Sequence, residues 1–296
     1  MTPRPTLACG VLFAAVVSVA ASQVPFRSER TVVSVVVSVR SGNAPVTALT
    51  AADFRLTDNG HGQRIDAVSM EKLPIDLTLA IDTSGSTATG VGRLVAEAAS
   101  LARRLRASDR FRLLSIDTMV HEVLPLRSAA EQIWPARIPF NGASAVHDAL
   151  FAGLVTPVDA DRRHLFIALT DGVDTISALD AGAVRDAAER SDVLLHIVTV
   201  TFAAAPPPVP PNWLPRRDAD LEVLREAARR TGGDMHAGGQ LGPDSLRAVT
   251  AALEDFRSSY VLRYSPTDAA PGWHALEVRL NRREPWTVRA RRGYFR

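Results

Sequence analysis

Apolar positions in the middle of the chain form near-continuous runs separated by stretches of helical periodicity. The runs at residues 77–81, 111–116, 165–169 and 194–200 suit strands that are covered on both faces, as in a parallel sheet. Helical spacing is found at residues 92–105, 145–154, 181–190, 220–230 and 244–256. This alternation predicts an α/β fold with a doubly wound, mostly parallel sheet.

Both ends of this region have a β-like pattern instead. Residues 31–40 and 54–70 precede it, and residues 260–264, 274–280 and 286–292 follow it. Asp58-Asn59-Gly60 predicts a tight turn with a strand on either side. We expect the N- and C-terminal segments to pair into one small β module. A proline-rich stretch at residues 203–215 predicts an exposed loop before the fourth helix.

The first residues have the features of a secretory signal. Arg4 precedes an apolar run at residues 10–21, which is too short to span a bilayer as a helix, and small residues follow it. A retained membrane anchor is the alternative interpretation. The expected division is therefore a signal peptide at 1–22, an N-terminal β segment at 23–72, an α/β domain at 73–257 and a C-terminal β segment at 258–296. A secreted or periplasmic location follows, with no transmembrane helix in the mature chain.

Composition excludes several kinds of chemistry. Cys9 is the only cysteine and lies within the signal, so a processed chain has no disulfide, thiolate nucleophile or cysteine-bound zinc. Lys72 is the only lysine and follows no glycine-rich loop, which argues against a P-loop nucleotide site. The formal net charge of +2 does not favour a nucleic-acid partner. The arginines near the C-terminus, among them Arg289 and Arg291, are expected to form a solvated strand edge.

Three loops carry oxygen-bearing side chains to one predicted edge of the sheet. Asp82-Thr83-Ser84-Gly85-Ser86 follows the first buried strand, and Asp171 follows the third. Ser144 lies in a loop that precedes a helix. Because ligands bind outside the carboxyl ends of strands in open α/β sheets, these side chains can converge there. Carboxylate and hydroxyl oxygens suit a hard cation such as Mg²⁺.

This pattern resembles the metal-ion-dependent adhesion site of von Willebrand factor A domains. That site has Asp-x-Ser-x-Ser after the first strand, a threonine in a middle loop and an aspartate after the fourth strand; here Ser144 stands at the threonine position. Residues 46–54, 260–264 and 291–295 are also similar to von Willebrand A-related secreted proteins of Acidobacteria. The likeness covers the chain from about Phe26 onward. The metal ligands that it implies are Asp82, Ser84, Ser86, Ser144 and Asp171.

The resemblance also implies a function. The ion would be Mg²⁺, with Mn²⁺ or Ca²⁺ as alternatives, and an acidic side chain of a protein partner would complete its coordination. An adhesion-type binding module, not an enzyme, is therefore expected, with its oligomeric state left open.

Other interpretations stay open at this point. The same polar residues could serve only as caps of turns and helices, and Asp174 is expected to cap the segment after it. A subunit of an envelope assembly with a non-functional metal site is the second interpretation. A hydrolase that uses Ser84 or a metal-bound water is the third, although no Gly-x-Ser-x-Gly elbow is present.

Overall fold

The structure alternates strands with helices in the middle of the chain and has strands at both ends. The computed structural model describes residues 32–70, 72–84, 91–135, 138, 142–159, 161–201, 213–240, 242–268 and 270–296. The predicted signal at 1–22 lies outside these residues. The helices are α1 (Val91–Ala102), α2 (Val146–Leu154), α3 (Ala181–Arg190), α4 (Trp213–Thr231) and α5 (Pro243–Arg257).

The strands are β1 (Val33–Ser41), β2 (Ala44–Pro45), β3 (Phe54–Asp58), β4 (His61–Gln63), β5 (Ile65–Ser69), β6 (Ile75–Asp82), β7 (Arg110–Ile116), β8 (Val120–Ser128), β9 (Arg163–Thr170), β10 (Leu194–Thr201), β11 (Met235–Gln240), β12 (Tyr260–Tyr264), β13 (Trp273–Leu280), β14 (Thr287–Ala290) and β15 (Gly293–Phe295). Short 3-10 helices cover Ala51–Asp53 and Ala129–Glu131.

The apolar runs form the middle of one sheet. Its strand order is β11-β10-β9-β6-β7-β8 among the described residues, and every neighbouring pair is parallel except β7 with β8. A mixed α/β fold, as expected from the sequence, is therefore confirmed. No helix among the described residues is long and apolar enough to cross a membrane.

Helices cover both faces of this sheet, which explains why its four central strands contain near-continuous apolar runs. On β9, Leu165, Ile167 and Leu169 pack in one cluster with residues of α1 and α5. The alternate residues Phe166 and Ala168 pack in another cluster with residues of α2, α3 and α4. Because successive side chains of a strand point to opposite faces, each face of β9 has its own core.

The terminal segments form two further sheets. β1 pairs antiparallel with both β12 and β14, and β13 pairs antiparallel with both β3 and β15. Strands from the two ends of the chain are thus hydrogen-bonded to each other. The β3–β4 turn has positive φ at Asn59 and Gly60, as a two-residue type I′ hairpin requires.

The valine-rich strand β1 contributes to two cores. Val35, Val37 and Val39 are buried in a cluster with residues of β3, β12 and β13. Val36, on the opposite face of β1, packs against the cluster that contains α1 and α5. Burial on both sides accounts for the run of three valines at residues 35–37.

Asp255 of α5 connects the terminal strands to the α/β part of the chain. Its Oδ1 accepts hydrogen bonds from the Ser38 hydroxyl and from Nη1 of Arg40, both at 2.7 Å. Its Oδ2 contacts the guanidinium of Arg289 on β14, and Arg289 also binds Asp234 at 2.7 Å. Arg289 thus lies on an edge strand, as expected, but the expectation that it is solvated is wrong, because its side chain is only 19% exposed and contacts both Asp234 and Asp255.

A second buried carboxylate, Asp58, holds the terminal strands to one another. It accepts hydrogen bonds from the hydroxyls of Tyr264 at 2.8 Å and Tyr294 at 3.2 Å, and its Oδ1 lies 2.9 Å from Nδ1 of His274. Nε2 of His274 lies 2.8 Å from the carbonyl of Ala270, and this contact and Asp58 both raise the pKa of His274. The five residues come from β3, β12, β13, β15 and the turn before β13.

Replacing Asp58 with Ala should destabilise the protein strongly. Three buried donors would lose their acceptor, and each such loss costs about 1–3 kcal/mol, so we expect a decrease of at least about 3 kcal/mol in the free energy of unfolding. Urea denaturation measures it, with the exposed Asp218→Ala as the matched control. An effect of Asp58→Ala no larger than that of the control would show that this cluster does not hold the strands.

Candidate metal centre

The predicted loops meet at the carboxyl edge of the central sheet. β6 ends at Asp82 and its parallel neighbour β9 ends at Thr170, with Ile81 paired to Leu169. Thr83 donates its backbone N–H to the carbonyl of Ile116 at 2.8 Å, which ties this edge to the end of β7. The strand register thus places the two loops side by side.

Asp82 lies at the centre of the site. Only 1% of the surface of this residue is exposed to solvent. Oδ2 accepts hydrogen bonds from the hydroxyl of Thr170 at 2.7 Å and from that of Ser144 at 3.1 Å, and Oδ1 accepts the backbone N–H of Ser84 at 3.0 Å. One carboxylate therefore gathers groups from the end of β9, from the loop before α2 and from the loop that follows β6.

The surroundings of Asp82 disfavour its charged form. Burial, and then the neighbouring carboxylate of Asp171, raise the pKa of Asp82 to about 6, while hydrogen bonds from Ser84 and Thr170 act in the opposite direction. The site thus holds the buried carboxylate of Asp82 beside that of Asp171. Among the described residues, no cationic side chain forms an ion pair with Asp82.

The remaining loops are fixed by capping interactions. Ser144 donates its backbone N–H to the hydroxyl of Thr175 at 2.7 Å, and Thr175 donates its own N–H to the carbonyl of Ser144 at 2.9 Å. Asp174 accepts the N–H of His147, in the first turn of α2, at 3.0 Å and also binds Ser177. Asp174 therefore caps α2 in addition to contacting the segment that follows it.

Four of the five predicted ligands lie together in the structure. Asp82, Ser84 and Ser144 are buried, and Asp171, which is half-buried, is close enough to act on the charge of Asp82. The fifth, Ser86, lies outside the described residues. Thr170 was not predicted, although its hydroxyl lies 2.7 Å from Oδ2 of Asp82, closer than that of Ser144.

The donor set fits a hard divalent cation. Two carboxylates would balance the charge of the ion, and the hydroxyls of Ser84 and Ser144 are neutral oxygen donors. No cluster of three or more His, Cys, Asp or Glu side chains suited to a metal occurs among the described residues. A cation at this edge would therefore depend on hydroxyl ligands as well as carboxylates, and it would reverse the rise in the pKa of Asp82.

The sequence matches no protein-family model and no curated protein. Solved structures to which this chain is similar include a von Willebrand factor type A protein from Catenulispora acidiphila, at 14% identity and a TM-score of 0.46, covering 82% of this chain and 74% of that one. BatB from Bacteroides thetaiotaomicron aligns at 16% identity and a TM-score of 0.45, covering 62% and 98%. Proximal thread matrix protein 1 from the mussel byssus, with a zinc-occupied MIDAS motif, aligns at 10% identity and 0.47, covering 68% and 50%.

In the absence of metal, the stability of the protein should depend on pH through Asp82. Its pKa is 3.8 in the unfolded chain and about 6 in the folded one, so folding takes up a proton between these values. The contribution of Asp82 to stability is therefore present at low pH and is lost as the pH rises towards neutral. Relative to Asp82→Asn, the wild type should lose roughly 3 kcal/mol across this window.

Chemical denaturation of both proteins in EDTA, from about pH 4 to pH 7, measures this difference. Comparison with Asp82→Asn removes the contributions of other titrating groups, since both chains share them. The exposed Asp218→Asn change serves as the control and should show no trend. A constant stability difference between wild type and Asp82→Asn would contradict the strained environment assigned to this carboxylate.

Proposed function

We propose that the chain is a metal-dependent protein-binding module of the von Willebrand factor A type. It would hold Mg²⁺, or Mn²⁺ or Ca²⁺, with Asp82, Ser84, Ser144 and Asp171 described above, together with Ser86. The observation that carries this proposal is the buried Asp82 carboxylate, which lies beside Asp171 and is hydrogen-bonded to hydroxyls at the carboxyl edge of the sheet.

The chemistry of the ligands supports binding of an anionic group. Two carboxylates neutralise a divalent ion without excess negative charge, and hydroxyl ligands donate little further charge to it. Such an ion retains affinity for one more anionic oxygen. A side-chain carboxylate of a partner protein has the required charge and size. Binding, not catalysis, is the proposed role of the site.

The domain organisation follows the same interpretation. Residues 73–257 would form the A-type domain, with a doubly wound and mostly parallel sheet, and residues 23–72 and 258–296 would form the β module. The pairing of β1 with β12 and β14 supports the second assignment. The signal-like residues 1–22 support export, so we propose a secreted or periplasmic location.

Mg²⁺ should stabilise the wild-type protein against unfolding. At a free Mg²⁺ concentration one hundred times the dissociation constant, the free energy of unfolding should increase by about 2.7 kcal/mol. Thermal melting with Mg²⁺, Mn²⁺ or Ca²⁺ against EDTA measures the effect. Asp82→Asn should abolish the stabilisation, since it removes the charge that binds the ion, whereas Asp218→Asn should retain it. Equal stabilisation of Asp82→Asn and wild type would contradict metal binding at this site.

The partner chemistry can be tested without a known partner. Random peptides displayed on phage are selected on the immobilised protein in Mg²⁺ and eluted with EDTA. We expect the eluted peptides to share an aspartate or glutamate, and its change to the amide should abolish binding. The same selection on the Asp171→Asn variant should recover no such peptides. Selected peptides that lack an acidic residue, or that stay bound in EDTA, would argue against a metal-bridged carboxylate.

A second candidate is a subunit of an envelope assembly whose metal site is non-functional. One observation favours it: hydrogen bonds from Thr170, Ser144 and Ser84 already satisfy both oxygens of Asp82 without an ion. In that case these side chains would only connect the loops. The metal titration separates the two candidates, because only the first predicts stabilisation by a divalent ion.

A further inference from the structure

A cavity of about 570 Å³ lies at the other end of the central strands. Arg163, the first residue of β9, lines it, whereas Thr170, the last residue of the same strand, contacts Asp82. The two residues are the ends of this eight-residue strand and lie about 23 Å apart. The cavity is therefore distinct from the candidate metal centre. Its walls come from β1, β9, β10, β12, the end of α3 and the C-terminal residues.

The described lining of this cavity is strongly basic. It contains six arginines against two aspartates, Asp159 and Asp192, a formal excess of four positive charges. Both aspartates already contact arginines: Asp159 contacts Arg110, and Asp192 contacts Arg291. An anion that entered the cavity would meet a positive field. The six arginines are Arg162, Arg163, Arg190, Arg263, Arg291 and Arg296.

Aromatic rings hold two of these guanidinium groups in place. The Arg163 guanidinium lies 4.1 Å from the centre of the Phe256 ring, and that of Arg190 lies 3.9 Å from the centre of the Phe295 ring. Arg163 is only 7% exposed and donates to the hydroxyl of Ser259 at 2.7 Å. Stacking on a ring fixes the plane of a guanidinium while its N–H groups stay directed outward in that plane.

We propose that this cavity binds a small organic molecule that carries a phosphate group. A planar guanidinium group can donate two parallel hydrogen bonds to two oxygens of a phosphate. The double negative charge of a phosphate also matches the excess positive charge of the cavity better than the single charge of a carboxylate does. The volume falls within the range of ordinary ligand sites, about 300–1,000 Å³, and exceeds the need of a phosphate alone. The apolar walls formed by Val33, Val36, Leu194 and Val261 would contact the organic part.

Calorimetric titration of the full chain with phenyl phosphate tests the proposal. Inorganic phosphate and benzoate serve as comparison ligands, all at equal ionic strength and in EDTA, so that no divalent ion contributes. We expect phenyl phosphate to bind most tightly, because only it offers both the phosphate and an apolar ring. Equal binding of benzoate would contradict the choice of phosphate, and equal binding of inorganic phosphate would contradict the organic body.

Variants at the mouth of the cavity identify the site. Arg190→Gln should weaken phenyl phosphate binding about tenfold, as expected for loss of a charge-assisted hydrogen bond. Phe295→Leu keeps the charge and removes the ring under Arg190, and it should weaken binding severalfold. Arg247→Gln is the control, since its side chain is 74% exposed on α5 and does not line the cavity. Equal affinities of Arg190→Gln and Arg247→Gln would overturn the proposal.

Discussion

The burial of the Asp82 carboxylate is the constraint on which the rest of the site depends. β6 is covered on both faces, so its last residue lies in a poorly solvated place, where a charge is costly. Asp171 adds a second negative charge nearby. Hydroxyls of Ser144 and Thr170 compensate part of this cost, and in doing so they fix the positions of two other loops. A divalent ion would supply the compensation that these neutral groups cannot.

Much of the fold could be predicted from the sequence because burial leaves a local pattern. The four apolar runs correspond to strands covered on both faces, and the helical spacing at residues 181–190 coincides with α3. β8 gave no such signal, since it lies at the sheet edge and contains Pro125, and β11 contains two glycines. α4 begins at Trp213, within the stretch expected to be a loop. A helix can include Pro215 there, since this residue falls in the first turn, where a missing N–H breaks no helical hydrogen bond.

The candidate site was predictable only as far as its residues follow strand ends. Asp82 and Asp171 were found in this way, whereas Thr170 was not predicted as a site residue although its hydroxyl contacts Asp82. Contacts between distant segments leave no local signal. Arg289 therefore gave the pattern of an exposed strand residue, yet it meets Asp234 and Asp255. Only the three-dimensional structure brings such partners together.

Anomalous diffraction from crystals grown with Mn²⁺ tests the metal site most directly, because it locates the ion without assuming its ligands. We expect one strong peak at the carboxyl edge of the sheet, with oxygens of Ser84, Ser144 and the two aspartates around it and direct ligands at about 2.0–2.3 Å. The same crystals of Asp82→Asn should lack that peak. A wild-type map without it, or a peak elsewhere in the molecule, would contradict the assignment of this edge as a metal-dependent binding site.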